Sequence, residues 1–261
     1  INERSLDWID SLSGEDPFFL WNHYMDTHGP YEPPGEYATL YTDRNVTDRE
    51  AQSLYQRAVE NPESITEDER ELLIDLYDAE IRYNDEYIGV FLDELRARGL
   101  MDDSLVIISA DHGDAFGEHG YYEHPRYLHE EITHVPLFVR SPGGAHETIE
   151  TAVSTLDIVA TIEEYVGVND EFSLVDPPED GRRVFSQARG EDEHSHLRRY
   201  ALRTQDEECF CERNVETGEI EFTESTDESL HSELKTHIDE RARIDSGEPT
   251  TDDDVDEEIE R

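Results

Sequence analysis

The stretch from Glu67 to Asp114 constrains this chain more than any other. Between Glu67 and Arg98, Leu73, Leu76, Glu80, Tyr83, Tyr87, Val90, Phe91 and Leu95 recur at three- and four-residue steps, the period of a long amphipathic helix. Ser64 or Thr66 offers a cap at its start, and Gly99 supplies a stop at its end. After a turn at Asp102-Asp103, the run Ser104 to Ala110 is apolar without alternation, which predicts a fully buried strand of the parallel-sheet type. Directly beyond it stands Asp111-His112-Gly113-Asp114. A helical crossover leading into a buried strand that ends in a polar cluster is the unit of an open α/β sheet, whose chemistry sits in loops at the carboxyl ends of strands.

The rest of the chain extends that pattern. Leu6, Ile9 and Leu12 give Asn2 to Leu12 helical spacing, with Gly14 as its stop, and Phe18 to Asn22 is expected to be a second buried strand. It leads into a loop, His23 to Pro34, dense in His, Gly, Pro and Tyr. Asp48 to Asn61 predicts a peripheral polar helix. Val135 to Arg140 predicts a third strand ending in Ser141-Pro142-Gly143-Gly144, and Leu156 to Val166 a helix stopped by Gly167. From Asp176 the pattern breaks into short strand-like pieces such as Tyr200 to Arg203 and Ile220 to Phe222, and the acidic residues after Gly247 read as a solvated tail. The expected fold class is therefore α/β, a mostly parallel sheet with helices on both faces. Residues 1–175 form the core, 176–246 a small α+β subdomain and 247–261 a mobile acidic tail. No internal repeat is present.

Charge decides what such a fold would meet. Asp and Glu total 67 against 21 Lys and Arg, a formal net charge of -46, and Lys235 is the only lysine. A disordered acidic chain would not alternate apolar runs such as Phe18-Phe19-Leu20-Trp21 with amphipathic stretches, so the charge reads as surface adaptation to strong salt, where screening shortens self-repulsion. The same surface repels nucleic acid and anionic membrane, and neither is an expected partner. Cys209 and Cys211 stand one residue apart, too close for an unstrained bridge and without partners for a structural zinc site. No apolar run reaches the roughly 20 residues of a membrane span. Nothing resembles a signal peptide, so a cytoplasmic setting is the default expectation, with the native N-terminus expected to precede Ile1. No pattern sets an oligomeric state.

Asp111 and His112 follow a predicted strand directly, where a carboxylate and an imidazole can turn toward one cation. The oxygen suits calcium, magnesium or manganese, and the nitrogen widens the range toward manganese and zinc. The triplet alone describes an ordinary loop more often than a site. The neighbourhood changes that balance: His119, His124, His129 and His134 follow within 22 residues, in a chain with 12 His. Adaptation of the surface to salt recruits Asp and Glu, not His. In the first loop, Asp26-Thr27-His28-Gly29-Pro30-Tyr31 presents His28 from a stiff turn, where it can hydrogen-bond an anion or protonate a leaving oxygen, with His23 as a supporting residue.

These residues carry a resemblance. Tyr77-Asp78-Ala79-Glu80-Ile81, Asn84-Asp85, Gly99-Leu100, Ser109-Ala110-Asp111-His112-Gly113-Asp114, Gly117-Glu118-His119-Gly120 and Val135-Pro136-Leu137-Phe138 resemble, in order and spacing, the sulfatases of the alkaline phosphatase superfamily. Phe18-Phe19-Leu20-Trp21 with His28-Gly29-Pro30-Tyr31 resembles the same family's His-x-Pro-Tyr element. The resemblance covers about Pro17 to Gly167 and implies an alkaline phosphatase/sulfatase-like fold of which this chain is the C-terminal portion, of a haloarchaeal type. It implies that Asp111 and His112 ligate one divalent metal, usually Ca2+, with Mn2+, Mg2+ or Zn2+ as alternatives. It also implies that His28 and, thirteen residues beyond Asp111, His124 bind the substrate and act on the leaving group. Tyr200 to Thr204 resembles the strand that opens the family's small C-terminal subdomain.

The family's nucleophile is a formylglycine formed in a Cys-x-Pro/Ala-x-Arg element. Cys209 and Arg213 share its outer spacing, but Cys211 takes the place of Pro or Ala and the position follows the metal ligands, so Cys209 is not the expected nucleophile. The expectation is a sulfuric ester hydrolase acting on an anionic sulfate ester, with the nucleophile upstream of this chain and the chain alone inactive. A phosphoric or phosphonic ester hydrolase or transferase of the same superfamily is the nearest alternative. A non-catalytic remnant that keeps the fold and binds no metal is another.

Overall fold

The computed structural model describes residues 1–13, 17–143, 148–168, 174, 182–223 and 227–246, without the side chains of 193 and 243–246. The expected helix stop at Gly14, the last residue of the Ser141–Gly144 turn, the boundary near Asp176 and the acidic tail after Gly247 lie outside the described residues. In chain order the helices are α1 (Asn2–Ser11), α2 (Asp48–Glu60), α3 (Glu67–Ala97), α4 (Glu130–Thr133), α5 (Asp157–Tyr165) and α6 (Glu228–Ser246). The strands are β1 (Val106–Ser109), β2 (Ala115–Phe116), β3 (Tyr122–Glu123), β4 (Leu137–Arg140), β5 (Val184–Arg189), β6 (Leu197–Arg203), β7 (Glu208–Asn214) and β8 (Ile220–Thr223). They fall into two compact units, residues 1–125 with 136–144, and 126–135 with 145–261.

In the first unit α3 is the spine. Thr66 caps it, its side chain accepting from the Glu69 N–H while the Glu69 carboxylate accepts from the Thr66 N–H at 3.0 Å, and Gly99 at φ +72° lets the chain leave. Thr47 and Glu50 repeat the device on α2. The N-terminal half of α3 buries Leu72, Leu73 and Leu76 against Ala51, Leu54 and Ala58 of α2 and against Tyr31, Phe116 and Tyr122. Its C-terminal half buries Phe91 and Leu95 against Ile9 of α1 and Met101. Each fully buried Leu or Phe contributes about 1.5–3 kcal/mol, so both halves are anchored by several such side chains.

Two expectations change here. The strand predicted over Ser104–Ala110 forms over Val106–Ser109, is partly buried rather than fully buried, and pairs antiparallel with β4, Ile107 opposite Val139. An apolar run marks a segment that suits covered faces, but nothing in it states the direction of its partner. Phe18 to Asn22, expected as a buried strand, is irregular, with Phe19 65% and Trp21 75% exposed. A strand exists only with a ladder partner, and this segment has none among the described residues. Every ladder among them is antiparallel.

The second unit is a four-stranded meander, order β5-β6-β7-β8, with α6 packed on it. Leu230, Leu234 and Ile238, one helical turn apart, meet Tyr200, Leu202, Cys209 and Cys211. Cys209 and Cys211 are two apart on β7, so both face α6, where they are free and buried. Burial pushes the Cys211 thiol up to about 12. These cysteines are core residues, in keeping with the reading that sets Cys209 aside as a nucleophile. No helix among the described residues is long and apolar enough to cross a membrane.

Candidate active site

The loop after β1 and a two-residue hairpin build one wall of the site. Ala115 of β2 pairs with Glu123 of β3, so Asp114 and His124, one residue further along each arm, leave the hairpin side by side. The reversal needs Gly117 at φ +95° and Gly120 at φ +81°; a Cβ at Gly117 would also stand 3.0 Å from the Tyr122 hydroxyl. This hairpin is what folds the thirteen-residue separation of Asp111 and His124 into a single place. His112, Asp114 and His124 bring one ligand atom each within 4.8 Å of one another, and the His112 and His124 ring centroids are 4.0 Å apart.

The opposite wall is the loop from Thr27 to Glu32. Tyr31 is buried among Tyr55, Tyr77 and Phe116 and donates from its hydroxyl to Asp114 Oδ2 at 2.7 Å, tying the two walls together. Burial first, and Asp114 second, push the Tyr31 phenol upward, so it remains the donor. Gly29 lies flat on Tyr55: a Cβ there would fall 2.1 Å from the ring. His28 thereby reaches His124, with Nε2 to Nε2 at 3.3 Å.

The proton positions follow from the partners. His28 Nδ1 is 2.9 Å from the Gly29 carbonyl oxygen and His112 Nδ1 is 3.0 Å from that of Gly113. A carbonyl only accepts, so both Nδ1 atoms carry the proton and both Nε2 atoms present a lone pair. The bond between His28 and His124 then requires His124 Nε2–H to donate. Both histidines also follow a residue of inverted backbone, Thr27 at φ +86° and Glu123 at φ +69°, a conformation that side-chain-bearing residues adopt at a cost of about 1–3 kcal/mol.

Of the residues expected at the site, His28, His112 and His124 converge. Asp111 stands at the rim, its side chain 74% exposed and Oδ1 3.9 Å from His112 Nε2. His119 is exposed beside Tyr121 in the same unit, whereas His129 and His134 belong to the second unit, His134 Nδ1 lying 3.0 Å from Glu130 Oε1. Two acids not foreseen at the site are part of it. Asp114 keeps Oδ1 buried without a hydrogen-bond partner among the described residues. Glu80 of α3 accepts the backbone N–H groups of Thr27 at 3.1 Å and Glu32 at 2.6 Å. Desolvation pushes the Glu80 carboxyl up to about 7, against the pull of those two N–H groups. A carboxylate among the apolar positions of α3 was the sequence signal for Glu80, and the repeat of Asp three residues past Asp111 was the signal for Asp114.

A family model described as Sulfatase matches residues 2–168. The chain belongs to the sulfatase family. A choline-sulfatase of Rhizobium meliloti is 35% identical over 95 residues, 36% of this chain and 18% of that protein. An uncharacterized sulfatase of Escherichia coli, YidJ, is 26% identical over 174 residues, 62% of this chain and 34% of that protein. The matched stretches thus span 18% and 34% of the length of these sulfatases. In fold it is similar to a phosphonate monoester hydrolase of Agrobacterium radiobacter, with a TM-score of 0.70 at 18% identity over 95% of this chain and 60% of that one. The α/β class expected for this sulfatase chain agrees with that likeness.

The family generally binds a divalent metal, and the donors present suit one. His112 Nε2 offers a lone pair, the Asp111 carboxylate is within 3.9 Å of it, and the buried Asp114 Oδ1 lacks any hydrogen-bond donor among the described residues. The carboxylate oxygens suit a hard divalent ion, and the imidazole nitrogen widens the range of divalent ions that could be held.

Proposed function

We propose that this chain forms the metal-binding and leaving-group side of a sulfuric ester hydrolase. The observation that carries the reading is the convergence of His28, His112 and His124, from segments 96 residues apart in sequence, within the region that matches the sulfatase family. Asp111 and His112 would hold the divalent ion, calcium first and manganese, magnesium or zinc as alternatives. When bound, the ion supplies positive charge that offsets the charge developing on the ester oxygens.

The histidines divide the remaining work. His124 donates its Nε2–H to His28 when neutral; as the imidazolium it can pass one proton to a leaving alkoxide as general acid and return to the neutral ring. His28 receives that bond at its own Nε2 and orients the His124 ring. Once protonated, either ring offers an anionic ester an N–H group and positive charge. Phosphoric and phosphonic esters present the same tetrahedral anion, and the family match favours the sulfate ester. The test is hydrolysis of 4-nitrophenyl sulfate against 4-nitrophenyl phosphate by the protein that contains these 261 residues. Preference for sulfate is expected, and a preference for phosphate would overturn the substrate assignment.

The acidic surface is proposed to keep this enzyme folded in strong salt, as in a haloarchaeal sulfatase. With a net charge of -46, self-repulsion is screened within about 3 Å in molar salt but reaches about 10 Å at 0.1 M. A higher melting temperature in about 3 M KCl than in about 0.1 M KCl is expected. Equal melting temperatures would contradict the proposal.

A further inference from the structure

Glu80 has a burial that its surroundings do not repay in the usual way. It is 7% exposed, and the charges nearest it are Asp26 and Glu32, of its own sign. Its two oxygens are spent on one loop: Oε2 accepts from the Thr27 N–H and Oε1 from the Glu32 N–H, the two ends of the turn that carries His28. A residue serving only to fill the α3 face there would be apolar, because a buried acid without a cation costs several kcal/mol.

We infer that Glu80 is a positioning residue, clamping both ends of the Thr27–Glu32 loop so that His28 meets His124. Thr27 is β-branched and sits at φ +86°, where the bare chain does not stay, and it is one of the two residues that Glu80 grips. Tyr31 pins the loop from beneath and Gly29 lies on Tyr55; on the N-terminal side the His28 N–H closes a turn onto the Met25 carbonyl at 3.1 Å, a local bond that leaves Glu80 as the tie from Thr27 to α3. The His28 ring itself is exposed, so its place is set by its own backbone, by Nδ1 on the adjoining Gly29 carbonyl and by the bond to His124. Releasing Thr27 lets that backbone relax and takes the ring out of register. The part that His28 plays in the reaction rests on the function proposed above; the clamp does not.

The test uses the 261-residue chain labelled with 15N, as parent and as Glu80→Gln, which keeps the volume but turns an amide N–H toward one of the two donors. Hydrogen bonds to a charged group are worth about 1.5–3 kcal/mol, so exchange of the Thr27 or Glu32 amide is expected to accelerate about 10- to 100-fold. The cross-relaxation between the His28 and His124 rings is expected to weaken, while amides of β6 and β7 keep their rates. Unchanged exchange at both residues, or an unchanged contact between the rings, would overturn the clamp. A measurement on the unmutated chain keeps the inference testable if the variant does not fold. The Thr27 and Glu32 amide protons share one carboxylate, so their shifts are expected to titrate with one common midpoint. Separate midpoints, or none, would contradict it. None of these readouts involves ester hydrolysis, so an intact clamp in a protein without sulfatase activity would count against the proposed function alone.

Discussion

Asp157 in the second unit and Glu80 in the first are both buried, at 6% and 7% exposure, yet they are satisfied by different means. Asp157, at the start of α5, is gripped by Arg182 through both oxygens and also accepts the Ser154 N–H at 2.6 Å. Charge is cancelled by charge, and the result is a fastening. Among the described residues Glu80 meets no cation and accepts only backbone N–H groups, from the loop that presents a site histidine. The same contrast runs through the two units. The β5–β8 meander satisfies its backbone with regular ladders over an apolar seam against α6, whereas the loops around His28 and His124 hold two inverted residues and a buried oxygen without a donor among the described residues. Polar groups left in unusual states gather where chemistry is proposed and are neutralised where the role is structural.

Three substitutions probe that contrast. His124→Ala removes the proposed general acid and is expected to lower kcat by about 10²–10⁴-fold with the fold retained, measured with a nitrophenyl sulfate in the protein containing this chain. A loss below tenfold would remove His124 from the reaction. Arg182→Ala leaves Asp157 buried and unpaired, and is expected to cost about 3–5 kcal/mol in denaturant unfolding. A cost under about 1 kcal/mol, the size of an exposed pair, would erase the distinction between the two acids. Glu80→Gln has the smallest effect and the most specific signature. Because the folded carboxyl sits near 7, above its ordinary 4.5, the stability it contributes is present below about pH 4.5 and is lost as pH rises through about 7. The parent is therefore expected to lose stability relative to Glu80→Gln over that interval. Parallel stability curves would mean that Glu80 is not held in a desolvated place.

Local rules made the helical half of the first unit legible. The apolar period drew α3 to within a residue of its observed end, and Thr66, one of two candidate caps, makes the capping box. Strand readings fared differently because a strand is defined by its partner. Val106–Ser109 was recognisable from composition but its antiparallel neighbour was not, and Phe18–Asn22 has the composition of a covered strand without a ladder among the described residues. Helix α6 and strand β7 escaped notice because charged residues crowd around the seam of Leu230, Leu234, Ile238, Cys209 and Cys211, and β5 because Ser186 and Gln187 interrupt its apolar run.

At the site, the resemblance singled out His28, Asp111, His112 and His124, and the structure brings the three histidines together. The parts played by Asp114, Tyr31 and Glu80 depend on which loop lies opposite which helix. Glu80 stood in the list of core-facing positions of α3 as a misfit, and only the loop 48 residues before it explains the carboxylate.

The central claim is that His112 and Asp111 turn toward one cation beside His28 and His124. It is tested most directly by titrating calcium into the 15N-histidine-labelled 261-residue chain and following each imidazole. The account predicts that His112 Nε2 shifts by about 1 mM calcium, the weak end of calcium sites, that His231 and His237 do not, and that Asp111→Ala abolishes the shift. A His112 signal that ignores calcium, or moves equally in Asp111→Ala, would contradict it.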